Sequence, residues 1–239
     1  MQSALRPRLN HLLGALSADD LARLLPQFEL IPVSLGHVLY ESGTQLRDVY
    51  FPINAIVSLL YAMDDGTSAE IAMVGNEGIV GISLFMGGET TPSRAMVQSA
   101  GHAYRLPGQL LKNEFLRAGP MQHLLLRYSQ SLLMQIGQSL VCNRHHSLDQ
   151  QFCRWLLQCF DRMPYRKLTI TQELIAIILG VRREGISEVA VKLHKAGLIA
   201  YHRGRITLLD RPGLEMRTCG CYAVLRKEFD RLLPGAGDQ

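Results

Sequence analysis

The pattern of apolar and polar positions predicts a β-rich first half of the chain. Between residues 28 and 107, short apolar stretches alternate with glycine-rich turns, which is typical of β-strands. Asp65-Gly66 separates two alternating stretches and predicts a hairpin. Many short strands at regular spacing favour a β-sandwich or jelly roll. The predicted strands span residues 38–40, 49–51, 55–61, 69–74, 95–98 and 102–106.

From about Pro120 the pattern becomes that of a long helix with two apolar stripes. The first stripe has the four-three spacing of a seam between paired helices, and we expect it to contact a second subunit. The alternative is a helix packed only on its own domain; we expect both faces to be used, with the second stripe facing inward. Asp149 is expected to cap the next helix, at residues 150–162. The first stripe is Met121, Leu125, Tyr128, Leu132, Gln135, Ser139 and Cys142; the second is Leu126, Leu133, Ile136 and Leu140.

Residues 169–205 predict two helices joined by a tight turn. Thr171 is a plausible N-cap, and the following apolar residues recur at helical spacing. Gly180 stands where the chain must leave the first helix, and Gly197 closes the second. The second helix buries Ile186, Val189, Ala190 and Leu193, and leaves outside Arg182, Arg183, Glu184, Ser187, Glu188 and Lys192.

The segment after these helices predicts a two-stranded wing. Two apolar stretches flank His202-Arg203-Gly204-Arg205, so the basic tip is suited to contact phosphates. A helical hairpin with a solvated charged face is the alternative, but the wing favours nucleic acid. An arginine can pair with guanine, and Glu184 can accept from cytosine. The expected DNA-contacting residues are Thr171, Gln172, Arg182, Arg183, Glu184, Ser187, Glu188, Lys192, His202, Arg203 and Arg205.

Charge distribution supports this assignment. Residues 1–149 carry 10 basic and 12 acidic side chains, whereas residues 150–239 carry 15 and 9, a net charge of +6. The apolar content of 47 % argues against disorder, and 239 residues suffice for two modest domains. No signal peptide or membrane span is evident, so we expect a cytoplasmic protein.

The cysteine and histidine content indicates neither a disulfide framework nor an enzyme. The cysteines are odd in number and all lie in the second half: Cys142, Cys153, Cys159, Cys219 and Cys221. Cys219-Gly220-Cys221 could hold a metal or form a redox pair, but small buried side chains are the favoured interpretation. Likewise His145-His146 could bind metal, but solvated side chains at a helix end are favoured. We therefore expect no metal site, and no motif for catalysis is found.

The order of a small β-barrel, a long helix and a winged helix-turn-helix resembles the cyclic-AMP receptor protein/FNR (Crp/Fnr) family of bacterial transcription regulators. The resemblance extends from about Leu21 to Leu209 and is strongest at Thr171–Ile199. It implies an α+β chain with a cyclic-nucleotide-binding-like sensor barrel (a double-stranded β-helix or jelly roll) at residues 1–118, a dimerisation helix and hinge at 119–148, and the DNA-binding domain at 149–239. The matching motifs are Gly180-Val181-x-Arg183-Glu184, Ala196-Gly197-Leu198-Ile199, Leu148-Asp149, Gly36-x-x-Leu39-Tyr40-x-x-Gly43, and Gly81–Phe85 with Ser93-Arg94-Ala95.

The resemblance implies a homodimeric, sequence-specific transcription regulator that is switched by a small-molecule effector at the barrel and contacts RNA polymerase. The expected effector residues are Gly81, Ser83, Arg94, Gln138 and Ser139. Gly81-Ile82-Ser83 stands where cyclic-AMP binders have a Gly-Glu pair, which argues against cyclic AMP. The absence of cysteines before Cys142 argues against the iron–sulfur cluster of the oxygen-sensing branch. The alternative function is a small-molecule-binding regulatory module that acts through a protein partner.

Overall fold

The computed structural model describes residues 7–163 and 165–233. The helices are α1 (His11–Gly14), α2 (Ala18–Leu24), α3 (Gly108–Leu116), α4 (Pro120–His145), α5 (Leu148–Asp161), α6 (Gln172–Leu179), α7 (Arg183–Lys195), α8 (Arg211–Arg217) and α9 (Cys221–Leu232). The strands are β1 (Glu29–Val33), β2 (Val38–Tyr40), β3 (Asp48–Pro52), β4 (Ile56–Ala62), β5 (Ser68–Val74), β6 (Arg94–Ser99), β7 (Gly101–Pro107), β8 (Lys167–Thr169), β9 (Ile199–His202) and β10 (Arg205–Leu208). Short 3-10 helices lie at Pro7–Leu9, Leu25–Gln27 and Ile82–Leu84.

Strands β1 to β7 form two antiparallel sheets, with strand orders β1-β7-β3 and β2-β6-β4-β5. Residues of both sheets, such as Phe51 and Val97, are completely buried in one hydrophobic core. The hairpin predicted at Asp65-Gly66 joins β4 to β5, and Gly66 has the positive φ of 84° that its turn requires. The α+β fold with an N-terminal jelly-roll-like β-domain is thereby confirmed.

Helix α4 lies along the β-domain, and α9 returns beside it. The predicted helix beyond Pro120 is confirmed, whereas α8 and α9 were not predicted. At the end of α9, Leu232 and Leu233 join the hydrophobic core of the β-domain. The chain therefore connects the β-domain with the C-terminal part of the molecule through two helices.

The expected cap of α5 was wrong by two residues. The Ser147 hydroxyl accepts from the Gln150 amide at 3.4 Å, and the Ser147 amide donates to Gln150 Oε1 at 3.1 Å. This reciprocal capping box satisfies two amides that the helix itself leaves unpaired. Asp149 therefore lies inside the first turn, where its negative charge faces the positive end of the helix dipole.

A second core lies in the C-terminal half, where α5 to α7 and the sheet β8-β10-β9 enclose Trp155 and Ile186, and Ile56 and Met73 of the β-domain also join it. This half touches the β-domain through a buried ion pair, because Arg162 Nε donates to Glu77 Oε1 at 2.8 Å. The fit is close: a Cβ at Gly75 would lie 2.7 Å from the Arg162 side chain. Within residues 7–163 and 165–233, no helix has both the length and the apolar character that a bilayer crossing needs.

Candidate nucleic-acid interface

Local sequence determines the turn between α6 and α7. The Thr171 hydroxyl accepts from the Leu174 amide at 3.1 Å and caps α6, as predicted. Gly180 ends the helix with φ 64° and ψ 37°, and the Val181 amide reaches the Ala176 carbonyl at 3.0 Å. This left-handed C-terminal turn lets the chain reverse within a few residues. The prediction of a helix-turn-helix is confirmed.

Helix α7 buries one face and exposes the other. Its inner face consists of Ile186, Val189, Ala190 and Leu193, the four residues that the spacing predicted. Gly185 fits against α5, where an added Cβ would lie 2.8 Å from Leu148. This contact fixes the N-terminal turn of α7, where Arg182, Arg183 and Glu184 are exposed; Glu188 and Lys192 are exposed further along the helix.

Two of the predicted DNA-contacting side chains connect the helices to each other. Ser187 Oγ donates to Gln172 Oε1 at 2.6 Å, which joins the N-terminal ends of α6 and α7. The same hydroxyl lies 3.2 Å from the Arg183 carbonyl. In the free protein these two residues therefore position the interface, and any contact with DNA would have to share or replace their hydrogen bond.

The charged residues of α7 differ in how available they are. Lys192 Nζ lies 2.7 Å from Glu188 Oε1, one helical turn away, and both side chains are exposed. Their hydrogen bond lowers the pKa of Glu188 and raises that of Lys192. By contrast, no ion pair within the described parts of the chain involves Arg182 or Arg183. These two cations are therefore available to an anionic partner at the N-terminal end of α7, as is Lys195 at its other end.

The wing is a hairpin of β9 and β10, to which β8 adds a third strand. Arg203 and Gly204 form its two-residue turn with φ values of 46° and 74°, the signs of a type I′ turn. His202 and Arg205 face each other directly before and after this turn. The wing predicted around His-Arg-Gly-Arg is thus present, and His202, Arg203 and Arg205 are exposed.

The wing and α7 are neighbours. Burial raises the pKa of Tyr201 on β9, and the nearby positive charge of Arg183 opposes that rise. Arg183, the first residue of α7, is therefore close to the first strand of the wing, which packs against this helix. Basic side chains of both elements border one surface.

The assignment of the two stripes of α4 was wrong. All seven residues of the expected subunit seam are buried within the protomer, among them Tyr128 against the β-domain and Gln135, whose amide donates to the Met73 carbonyl at 3.2 Å. Conversely, Leu126, Leu133 and Leu140 of the expected inner stripe are 52, 61 and 73 % exposed, although Ile136 is partly buried. The physical reason is that α9 and β5 cover the first stripe, and neither contact was visible in the spacing.

The five predicted effector residues occupy different surroundings. Gly81 has φ 103° and begins the short helix that contains Ser83, and Arg94 Nε lies 3.4 Å from Glu41. Gln138 turns toward α9, where its Nε2 donates to Cys221 Sγ at 3.0 Å, and Ser139 is buried. In the described residues, no hydrogen bond or ion pair joins Gln138 or Ser139 to the other three. Their role in effector binding stays a prediction.

The sequence interpretation considered Cys219-Gly220-Cys221 and His145-His146 separately as metal ligands and favoured neither, and it did not predict that four side chains meet. Cys142, His146, Cys219 and Cys221 bring their sulfur and nitrogen atoms within 4.8 Å of one another. The available signal was a Cys and a His one helical turn apart, together with a Cys-x-Cys motif. Their meeting depends on α9 returning beside α4, which the spacing did not predict.

Comparisons with known proteins identify the C-terminal part of the chain. Residues 150–217 match the Crp-like helix-turn-helix domain. FixK2 from Bradyrhizobium japonicum has a similar structure, with 14 % identity, a TM-score of 0.69, and coverage of 80 % of this chain and 98 % of its own. TTHB099, a transcriptional regulator of the CRP family from Thermus thermophilus, has 21 % identity, a TM-score of 0.65 and coverage of 78 and 95 %. The c-di-GMP responsive global regulator CLP of Xanthomonas campestris has 16 % identity, a TM-score of 0.61 and coverage of 81 and 100 %. No match was found among curated proteins.

Proposed function

We propose that this chain, whose residues 150–217 match the Crp-like helix-turn-helix domain and whose fold is similar to that of a CRP-family regulator over 78 % of its length, is a sequence-specific DNA-binding transcription regulator that acts as a homodimer. One observation carries the proposal. The exposed N-terminal turn of α7 presents Arg182 and Arg183 outside any ion pair of the described residues, beside a basic wing. Sensor, dimerisation and DNA-binding roles are assigned to residues 1–118, 119–148 and 149–239.

Base reading is assigned to the N-terminal turn of α7. In helix-turn-helix proteins the second helix enters the major groove with this end at the base edges. Arg183 can donate to both acceptors of guanine, and Glu184 can accept from the amino group of cytosine. The wing residues His202, Arg203 and Arg205 are assigned to phosphates, which position the protein without reading sequence.

Dimerisation is assigned to the exposed stripe of α4. Leu126, Leu133 and Leu140 recur every seven residues on the solvent side of this helix. Gly137 lies between two of them, and a Cβ there would meet nothing within 4 Å. Two such helices can therefore approach closely, bury their leucines against each other, and place two α7 helices on successive half-sites about 34–36 Å apart.

A binding-site selection from random DNA, followed by titration of the selected site, tests DNA reading. Arg183→Ala should weaken binding by about 1–3 kcal/mol, with the loss concentrated at one base pair. Arg203→Ala should weaken binding to all DNA sequences alike. It should also reduce the dependence of affinity on salt concentration by the amount expected for about one lost phosphate contact. Arg105→Ala, which changes a partly exposed arginine of β7 that pairs with Glu29, is the control and should change neither. Failure to enrich any sequence would refute the proposal and favour a partner protein.

Sedimentation velocity tests the dimer. Leu133→Glu should convert the protein to a monomer, because it places a charge in the middle of the proposed seam. Leu116→Glu, which changes an exposed leucine at the end of α3, should leave the dimer intact. A monomeric wild-type protein, or a dimer that tolerates Leu133→Glu, would contradict the assignment of this surface.

Control by an effector at the β-domain, and contact with RNA polymerase, complete the proposal. Arg94 supports the first part, since its only ion pair in the described residues is the 3.4 Å contact with the exposed Glu41. Its guanidinium could thus turn to an anionic ligand. Thermal-shift measurements with nucleotides and small acids test this, because a ligand of the folded state raises its stability. The rise in melting temperature that the ligand causes should be lost in Arg94→Gln.

A further inference from the structure

A cluster of three cysteines and one histidine lies where the long helix meets the last helix. Cys142 and His146 stand one turn apart at the C-terminal end of α4. Cys219 precedes α9, and Cys221 is its first residue. All three cysteines are buried, and together they form a separate small cluster. The four side chains therefore come from two distant segments, which only the tertiary fold brings together.

Two of the separations between these atoms are close to those around one tetrahedral metal ion, and all of them lie within 4.8 Å. Cys142 Sγ lies 3.5 Å from Cys219 Sγ, and Cys221 Sγ lies 3.5 Å from His146 Nδ1. Zinc bonds of about 2.3 Å to sulfur and about 2.0–2.1 Å to nitrogen imply tetrahedral edges of about 3.8 Å between sulfurs and about 3.5 Å between sulfur and nitrogen. We propose that Cys142, His146, Cys219 and Cys221 bind one Zn²⁺ as a structural site.

The neighbouring residues are suited to a negatively charged metal–thiolate centre. Gln138 Nε2 donates to Cys221 Sγ at 3.0 Å, as an outer partner of a metal-bound thiolate does. Three thiolates, one imidazole and Zn²⁺ together carry a net charge of −1, and the buried Arg154 of α5 brings a positive charge to this part of the molecule.

The protonation of the thiols links metal binding to pH. An ordinary cysteine thiol keeps its proton at neutral pH, and a metal ion must displace that proton to bind the sulfur. Zn²⁺ replaces these protons, since thiolate is the form that ligates metal. The reaction releases one proton from each cysteine, three in all, and requires neither an oxidant nor a reductant.

A disulfide explains the arrangement less well. It would bond two sulfurs at about 2.05 Å, leave the third cysteine over, and give His146 no role. Four protein ligands instead complete a closed tetrahedron, which is typical of structural rather than catalytic zinc. Such a site would join the end of α4 to the start of α9. His146 directly precedes Ser147, the N-cap of α5.

Metal content and cobalt spectroscopy of the full-length protein test the site. Reduced protein should contain one Zn²⁺ per chain, and Co²⁺ added after chelation should give the intense visible bands of tetrahedral cobalt with thiolate charge-transfer bands. Cys221→Ser and His146→Ala should lose or weaken these bands. Gln138→Leu should weaken Zn²⁺ binding by about 10- to 100-fold, because it removes only the outer hydrogen bond.

Cys153→Ala is the matched control, because this buried thiol lies outside the cluster and contacts Asp149 instead. It should retain full metal content. If Cys221→Ser fails to fold, cobalt binding to the wild type and to Gln138→Leu still decides the question. Reduced wild type that binds neither metal at equimolar concentration, weak octahedral cobalt bands, or a disulfide that persists and excludes metal would each overturn the site. None of these measurements depends on DNA binding.

Discussion

Replacing Arg162 by methionine should lower the free energy of unfolding by about 3–5 kcal/mol, because it leaves the carboxylate of Glu77 buried without its cation. The side chains of Arg162 and Glu77 are only 7 and 8 % exposed. After the replacement, Glu77 would keep the Gly75 amide, 3.1 Å from Oε2, as its hydrogen-bond donor. One neutral donor does not compensate for a buried negative charge.

The magnitude follows from where the pair lies. Lys192→Met removes the same charge from the exposed pair with Glu188 and should cost far less, since water screens that pair. The difference between the losses in free energy of unfolding of the two variants therefore reports the effect of burial, since both variants remove one positive charge. Arg162 also stacks its guanidinium over the Phe229 ring at 5.5 Å from the centroid, a contact that methionine partly replaces.

Urea unfolding, followed through the fluorescence of the single tryptophan, Trp155, gives these free energies. The double variant Glu77→Gln/Arg162→Met should be more stable than Arg162→Met alone, because it removes the unpaired charge. If Arg162→Met costs no more than Lys192→Met, then the β-domain and α5 do not share a buried ion pair and the reasoning is refuted.

Three further predictions concern single groups. Burial raises the pKa of Glu70 from 4.5 to about 7, so the folded state keeps a proton that the unfolded chain releases. Stability should therefore fall by up to about 3 kcal/mol as the pH rises from 4.5 to 7, and Glu70→Gln should remove that fall in urea titrations at pH 5 and pH 8; an unchanged difference would contradict it. Gly204→Val should cost about 1–2 kcal/mol in thermal unfolding and weaken DNA binding, because a side chain strains the φ of 74° in the wing turn; equal stability would exclude this turn. Thr171→Ala should cost about 1 kcal/mol, whereas Thr171→Ser, which keeps the capping hydroxyl, should be nearly neutral; equal unfolding midpoints would show that the cap is not made.

The helix-turn-helix could be predicted because its determinants are local. Thr171 caps α6 with its own hydroxyl, and Gly180 supplies the left-handed turn, so neither depends on distant residues. The resemblance to Crp/Fnr regulators is likewise confirmed at the level of the domain and the fold. The roles of individual residues in binding DNA stay predictions.

The faces of α4 could not be predicted because both stripes have helical spacing and only the surroundings distinguish them. The first stripe is covered by the same protomer, and its Gln135 donates to a β5 carbonyl. The second stripe exposes Leu126, Leu133 and Leu140 to solvent. Spacing identifies a helix that packs on two sides, but it does not say which side belongs to the same chain.

The cysteine cluster escaped prediction for the same reason. Cys142 and His146 are neighbours on α4, and Cys219 and Cys221 are neighbours along the chain, so each pair alone was weak evidence. Their convergence is a long-range contact between α4 and the start of α9. The two pairs form one candidate metal site only because α9 packs beside α4.

Because α9 returns to the β-domain, two helices and not one connect the two halves of the molecule. A single connection would allow the C-terminal half to rotate in any direction, whereas two helices side by side resist bending and twisting. Leu232 and Leu233 in the core of the β-domain hold one end of α9, and the cysteine cluster beside the end of α4 holds the other. We therefore expect α4 and α9 to move as one unit, so a pair of spin labels across them should keep one separation whether or not DNA is present.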